Sequence, residues 1–306
     1  MASSATDIII GLYESLRRGF PLSLEVIKVW SQYLLPQITL TRLAGWAANR
    51  KLGAFGRRVV RWFVRHYGVD MSEAVEPSIE AYSTFNEFFT RAIDLSNRPL
   101  CDEPFVASPA DGAISQFGPI EHERLIQAKG RNFQLQDLLA GDEKATQTFA
   151  HGQFMTIYLS PRDYHRVHMP LSGRLTETVY VPGRLFSVNP LTAQYVPNLF
   201  ARNERLICYF ETNEGPMAMI LVGATIVGSI ATVWGGVEVP PRSKSVIRRA
   251  FENGPELAKG EEMGRFQLGS TVIMLFPQNS VSWLSDLRPG QAVKVRQALA
   301  ERRSCS

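Results

Sequence analysis

The chain is poor in cysteine, in histidine and in long apolar runs. Its 306 residues hold three cysteines, Cys101, Cys208 and Cys305. They are far apart, odd in number and form no CxxC pair. That pattern argues against a disulfide framework and a cysteine zinc site, and it fits a reducing compartment. No apolar stretch approaches the ~18 residues that a transmembrane helix needs. The first twenty residues carry Asp7 and Glu14 around Ile8-Ile9-Ile10, which does not make a secretory signal. A cytoplasmic protein, or one held on a membrane from that side, is expected. Common catalytic signatures are missing too. There is no GxSxG nucleophile elbow and no GxGxxG. Gly264-x-x-x-x-Gly269-Ser270-Thr271 nearly matches a P-loop, but Ser270 stands where the phosphate-binding lysine is required.

Acid is absent from one long stretch. No Asp or Glu occurs from Val26 to Val69, while Lys28, Arg42, Arg50, Lys51, Arg57, Arg58, Arg61 and Arg65 are all basic. The overall net charge of +4 hides this asymmetry, because residues 1–69 alone hold ten Lys/Arg against three Asp/Glu. The stretch reads as helices over 23–35, 39–51 and 55–67, with Pro36, Gly53 and Gly56 as punctuation. Trp46, Trp62, Phe63 and Tyr67 alternate with arginines, a composition suited to a helix lying in a membrane interface. It also suits helices packed on the protein core with a solvated basic face. Nucleic acid is disfavoured, since no recognised nucleic-acid motif accompanies the charge.

Thr84-Phe85-Asn86-Glu87 has capping-box spacing and opens a short helix through Phe88, Phe89 and Ile93. After about residue 100 the pattern turns to strands. Runs rich in β-branched and aromatic residues cover 154–159, 174–181, 205–212, 217–222, 224–234, 271–276 and 293–295. Asn213-Glu214-Gly215 reads as a hairpin loop, and residues 240–260 as an exposed loop. The expected fold class is α+β. A helical, basic region over residues 1–95, suited to membrane association, precedes a mostly antiparallel, sandwich- or barrel-like domain over 96–306 that holds the candidate catalytic residues.

Chemistry concentrates in three places. Gly269-Ser270-Thr271 leads into an apolar strand. Glycine leaves its own carbonyl open to approach, and the Ser270 hydroxyl can turn back onto it. A base that takes the hydroxyl proton lets the Gly269–Ser270 amide rearrange to an ester. β-Elimination of that ester cuts the chain and leaves a dehydroalanine, which hydrolyses to a pyruvoyl group. A plain turn is the other reading of the same three residues. Two of the five histidines, His165 and His168, sit together in Tyr164-His165-Arg166-Val167-His168-Met169-Pro170. An extended reading puts the two rings on opposite faces and gives them separate jobs; structural histidines are the alternative. Finally, Asp111 in Pro109-Ala110-Asp111-Gly112 supplies a carboxylate that could orient a histidine base, although Asp-Gly is also a common turn.

Taken in order, these segments resemble the phosphatidylserine decarboxylase family, of the bacterial, membrane-associated type. The resemblance rests on Thr41–Trp46, Thr84–Phe89, Pro109–Gly112, Tyr164–Pro170, Phe186–Asn189, Asn198–Arg205, Gly223–Ser229, Met263–Phe266 and Leu268-Gly269-Ser270-Thr271. It spans roughly residues 22–298. It implies a carboxy-lyase made as a proenzyme and cut between Gly269 and Ser270 into a β chain, 1–269, and an α chain, 270–306. It implies a self-processing triad of Asp111, His168 as base and Ser270, the last becoming a covalent pyruvoyl cofactor and the site where the substrate amine forms a Schiff base. His165 would deliver a proton in decarboxylation. No metal is implied. The implied partners are phosphatidylserine and an anionic membrane surface, with a peripheral place on the cytoplasmic face of the bacterial cell membrane; a homodimer is compatible with all of this. Three other readings share the residues: a pyruvoyl decarboxylase of another amine, a Ser-His-Asp hydrolase, and a non-enzymatic lipid-binding β-sandwich.

Overall fold

The computed structural model describes residues 29–33, 35–128, 131–225, 229–239, 244–267 and 270–303. Most of the expected helix over 23–35, and the Leu268–Gly269 pair, lie outside the described residues.

Among the described residues the basic stretch includes the helices Gln37–Ala48 and Ala54–Tyr67. Pro36 is the N-cap of the first. Gly68, at φ 67°, ends the second in the left-handed conformation that glycine adopts freely, its N–H bonding the Val64 carbonyl. The Thr84 cap forms, with Thr84 accepting from the Glu87 N–H at 3.1 Å, while Glu87 accepts at 2.7 Å from the N–H of Ser83, one residue before the cap. That helix covers only Phe85–Phe89 rather than running on to Ile93. The Thr90 hydroxyl bonds the Asn86 carbonyl at 2.8 Å, and Ile93 is drawn into a bridge with Ala74.

Nine strands make the main sheet, all paired antiparallel. Its path runs Ile247–Ala250, Gly173–Val181, Arg205–Thr212, Gly215–Val222, Ser270–Phe276, Gln153–Leu159, Gly112–Pro119, Ala292–Val293, with Glu256–Leu257 also on Gly173–Val181. The path keeps two ends and does not close into a barrel. Ser270–Phe276 lies inside it, bonded on both sides, and all seven of its residues are buried. Val272, Met274 and Phe276 feed one core, and Ile273 and Leu275 the other. A sheet covered on both faces explains why this strand reads as a continuous apolar run.

On the first face pack a four-stranded sheet containing Glu262–Gln267 and Arg166–His168, and a three-stranded sheet containing Ala298–Arg302. Short helices, among them Leu135–Leu138, Glu143–Phe149 and Pro190–Tyr195, cover the other face.

Several expectations need correction. Residues 240–260 are not simply an exposed loop, since Ile247–Ala250 and Glu256–Leu257 add to the sheet edge. All four residues of the former are exposed, so no apolar pattern betrays it. In 224–234 the strand among the described residues is Ser229–Thr232. The expected 293–295 strand stops at Val293 because the Val295 N–H bonds the Asp111 carboxylate instead, at 2.9 Å.

Candidate active site

The three chemical segments converge at one end of the main sheet. Ser270 opens its strand opposite Leu159, and Thr271 pairs with Tyr158. Tyr158 pairs on its far side with Ala113. Two strand spacings of ~4.8 Å put the Gly112 and Ser270 rows ~10 Å apart, with one strand between them. Gly112 is the first residue of a strand rather than part of a turn. A Cβ there would meet the Tyr158 carbonyl oxygen at 2.4 Å, so close backbone approach accounts for the glycine beside Asp111. The loop after Leu159 leads to the two histidines, and the His168 N–H bonds the Pro109 carbonyl at 2.8 Å. That bond ties the histidine strand to the Asp111 segment.

Ser270 is fully buried, and its Oγ has no hydrogen-bond partner among the described residues. The same holds for Thr271 Oγ1, Ser160 Oγ and His165 Nε2. An unpaired buried polar group costs ~1–3 kcal/mol. Strand alternation puts the Ser270 hydroxyl on the face of Val272 and the Thr271 hydroxyl on the face of Ile273, so polar atoms are left unsatisfied on both sides of the sheet near this end.

The two histidines differ. His165 Nδ1 donates to the Asp163 carbonyl at 2.8 Å, so in the neutral ring the lone pair is on the unpaired Nε2. Complete burial, with the Arg91 charge adding to it, pulls His165 down to about 3 despite that hydrogen bond. Its ring packs on Phe89 with centroids 4.0 Å apart. His168 Nδ1 donates to the Gly260 carbonyl at 2.9 Å, and its Nε2 accepts from the Tyr164 hydroxyl at 3.0 Å. Burial lowers the His168 pKa and raises that of Tyr164, so both are neutral near pH 7.

Asp111 is 4% exposed. Its Oδ1 accepts from Arg98 Nη1 at 2.5 Å and from the Val295 N–H at 2.9 Å, and Lys294 Nζ is 3.7 Å from Oδ2. Arg98 is held in turn by Glu73. No hydrogen bond among the described residues joins Asp111 to His168, or His168 to Ser270. The structure brings the three segments to one end of the sheet and leaves each functional group engaged elsewhere or unpaired. A cleft of about 220 Å³ opens beside Asp111, Gly112 and Tyr164, with Arg91 and Lys294 also in its wall.

Three of these residues have no signal in the sequence. The sequence reading singles out neither Arg98 nor Arg91, and takes Tyr164 only as the first residue of the histidine segment. Their partners lie 4 to 71 positions away, and no local spacing encodes them.

Comparison with known proteins gives a consistent result. A family model described as phosphatidylserine decarboxylase matches residues 85–301, and a second, PSD, matches residues 27–68. The phosphatidylserine decarboxylase proenzyme of Yersinia pestis (strain Pestoides F) is 55% identical over 285 residues, covering 91% of this chain and 97% of the relative. That of Yersinia pseudotuberculosis serotype O:1b (strain IP 31758) shows the same identity and coverage.

Proposed function

The chain belongs to the phosphatidylserine decarboxylase family, and from that premise we propose that it removes carbon dioxide from phosphatidylserine to give phosphatidylethanolamine, with a pyruvoyl group made from its own Ser270. The observation that carries the reading is the Ser270 hydroxyl, fully buried and without a partner among the described residues, at the head of the central strand. A serine with only a structural role there would be expected to find a partner.

Self-cleavage starts when a base takes the Ser270 hydroxyl proton and the oxygen attacks the Gly269 carbonyl carbon. The Ser270 nitrogen leaves that carbon, and the amide becomes an ester. Loss of the Ser270 Cα proton breaks the ester C–O bond. Gly269 is left as a carboxylate ending a β chain of residues 1–269, and the α chain begins at residue 270. Water then adds to the dehydroalanine and ammonia departs. We assign the base role to His168, whose Nδ1–H is held in this state by the Gly260 carbonyl; Asp111, bonded to Arg98 and the Val295 N–H, would have to displace that carbonyl to orient the ring. Supporting this are the shared end of the sheet and the Nδ1–H bond to Gly260, which puts the basic lone pair on Nε2. In the described state that lone pair is taken by Tyr164, so the base acts only after this hydrogen bond opens.

The residues around Ser270 fit the group: Ser270 is fully buried, and its Oγ and His165 Nε2 have no partner among the described residues. The pyruvoyl group supplies a carbonyl conjugated to an amide, an electron sink of the kind that decarboxylation needs. His165 Nε2 is assigned to carry the proton to the product carbon. Burial keeps His165 neutral in the free chain, and an anionic headgroup beside it raises its pKa.

We also place the enzyme peripherally on the cytoplasmic face of the cell membrane. The helix Ala54–Tyr67 buries only Val60, and Gln37–Ala48 only Gln37, Thr41 and Ala48. Leu43, Trp46, Phe55 and Trp62 are left 56–81% exposed. Arg42, Arg50, Arg58 and Arg65 are exposed among them. Each basic residue near an anionic leaflet contributes ~1 kcal/mol. Among the described residues no helix is long and apolar enough to cross a membrane.

The test is the intact mass of purified protein under denaturing conditions, beside Ser270→Ala, followed by decarboxylation of phosphatidylserine. Two fragments meeting at 269/270, the smaller with a keto N-terminus, are expected from the wild type, and one 34.3 kDa chain from the variant. A folded, uncut wild-type chain would overturn the pyruvoyl reading.

A further inference from the structure

Arginine is seldom buried without a counter-ion, because a desolvated charge needs an anion or several acceptors. Arg91 is 4% exposed, and its Nε is buried and unpaired. Its side chain's one hydrogen bond among the described residues is from Nη2 to the Arg162 carbonyl at 3.2 Å. It forms no ion pair among them. The Phe88 ring lies 5.7 Å from its guanidinium.

The cleft that Arg91 lines also holds acids, yet each of these is occupied. Asp111 and Glu73 are bound by Arg98, Asp163 accepts from the Ser160 N–H at 2.7 Å, and Asp70 accepts from the Ser72 N–H and hydroxyl. The other cations in its wall have partners as well: Arg162 lies 3.9 Å from Asp163, and Lys294 3.7 Å from Glu73 and Asp111. Arg91 is left as the buried cation facing the cleft without an acid of its own. It is also close to the chemistry. Phe89, two residues earlier, packs on His165, and the Arg91 charge acts on that histidine.

We infer that Arg91 is the anion-recognition residue of the site and takes the phosphodiester of the lipid headgroup. The inference rests on the decarboxylase reading above. The cleft volume of about 220 Å³ is below the ~300–1,000 Å³ of pockets for drug-sized molecules, so it admits a headgroup and leaves the acyl chains outside. The headgroup offers two anions, its carboxylate and its phosphodiester. Decarboxylation drains charge from the carboxylate, so an arginine bound there would hold the ground state more tightly than the transition state and slow the reaction. A phosphodiester keeps its charge throughout. Holding it lowers KM and leaves kcat alone.

The experiment measures KM and kcat on phosphatidylserine in mixed micelles for the self-cleaved wild type, Arg91→Gln and Arg91→Lys, with intact mass confirming cleavage of each. Loss of a charge-assisted contact predicts a KM higher by about 10–100-fold in Arg91→Gln, with kcat within about threefold. Arg91→Lys, which keeps the charge and loses the fork, falls between. Glycerophosphoethanolamine is expected to inhibit the wild type at least about tenfold better than ethanolamine, and to lose that advantage in Arg91→Gln. An unchanged KM, or a fall in kcat alone, overturns the inference. So does inhibition by inorganic phosphate as strong as that by glycerophosphoethanolamine, which would mark a site for free phosphate. If neither variant folds, equal inhibition of the wild type by glycerophosphoethanolamine and ethanolamine overturns it instead. A wild type that turns over no phosphatidylserine would sink the decarboxylase reading itself, whereas normal turnover with an indifferent Arg91→Gln sinks only the role of Arg91.

Discussion

Tyr164→Phe separates a capped base from a merely oriented one. The Tyr164 hydroxyl donates to His168 Nε2 at 3.0 Å, both rings are at least 96% buried, and their centroids are 5.6 Å apart. Removing the hydroxyl leaves the packing in place and frees the lone pair that, in the proposed mechanism, receives the Ser270 proton. A neutral hydrogen bond has a net worth of ~0.5–1.5 kcal/mol, so freeing the base should speed self-cleavage by about 2–12-fold. The same change leaves a buried acceptor unpaired and should cost ~1–3 kcal/mol of stability. The Nδ1–H bond to Gly260 persists and keeps the tautomer. The assay is a short pulse of cell-free synthesis, chased and sampled into denaturant, with cut and uncut chains resolved by mass. Stability is read by chemical denaturation of the uncut Ser270→Ala form with and without the second change. Cleavage slowed more than about tenfold in a stable variant would show that Tyr164 orients His168 productively. An unchanged rate would show that His168 Nε2 is not the base. Either result refutes the reasoning.

Two further expectations follow from burial and exposure. His165 is held neutral in the folded chain, with its pKa down at about 3, while the unfolded chain takes up a proton as pH falls through ~6.5. The unfolded state therefore binds more protons between those values, and stability is complete above pH ~6.5 and lost below it. Between pH 7.5 and 5.5 the Ser270→Ala chain should lose about 1.4 kcal/mol more than the same chain carrying His165→Asn; equal losses by urea denaturation would argue against a buried neutral ring. Trp46→Ser with Phe55→Ser removes two side chains that are 59% and 81% exposed. Partitioning onto anionic vesicles should fall at least about tenfold with little change in thermal midpoint, because most of the area of these two rings is left for lipid to bury. Unaltered sedimentation with vesicles would count against the interfacial placement.

The sheet's inner strands were legible because burial on both faces leaves runs such as Phe154–Leu159 and Thr271–Phe276 apolar throughout. The edge strand Ile247–Ala250 was not, since its exposed side chains carry no periodic signal. Helix starts followed their local chemistry at Thr84, whereas the stop at Phe89 depended on a distant bridge between Ile93 and Ala74. At the site, Asp111, His165, His168 and Ser270 stood out by residue type and by resemblance. Their present partners did not. Arg98 on Asp111 and the Gly260 carbonyl on His168 come from segments 13 and 92 positions away, and only the assembled sheets bring them there. The basic helices were legible in composition, but which face they turn outward became clear only from how little they bury.

The central position of Ser270–Phe276 has one more consequence. A cut before Ser270 would place the middle strand of the sheet on a separate short chain. That chain would also carry Ala292–Val293 at one end of the sheet path and Ala298–Arg302 in the middle of the three-stranded sheet. The two products would then be interleaved across both layers and could not part without dismantling the whole core. Reassembly would be a meeting of two molecules, dependent on concentration, where the original collapse was a single-chain event. The short chain would no longer carry the glycine against which its first residue reacted, so a denatured sample could not repeat its own maturation. In that sense the precursor would hold the folding information, and the cut enzyme would be a kinetic product that has used it once.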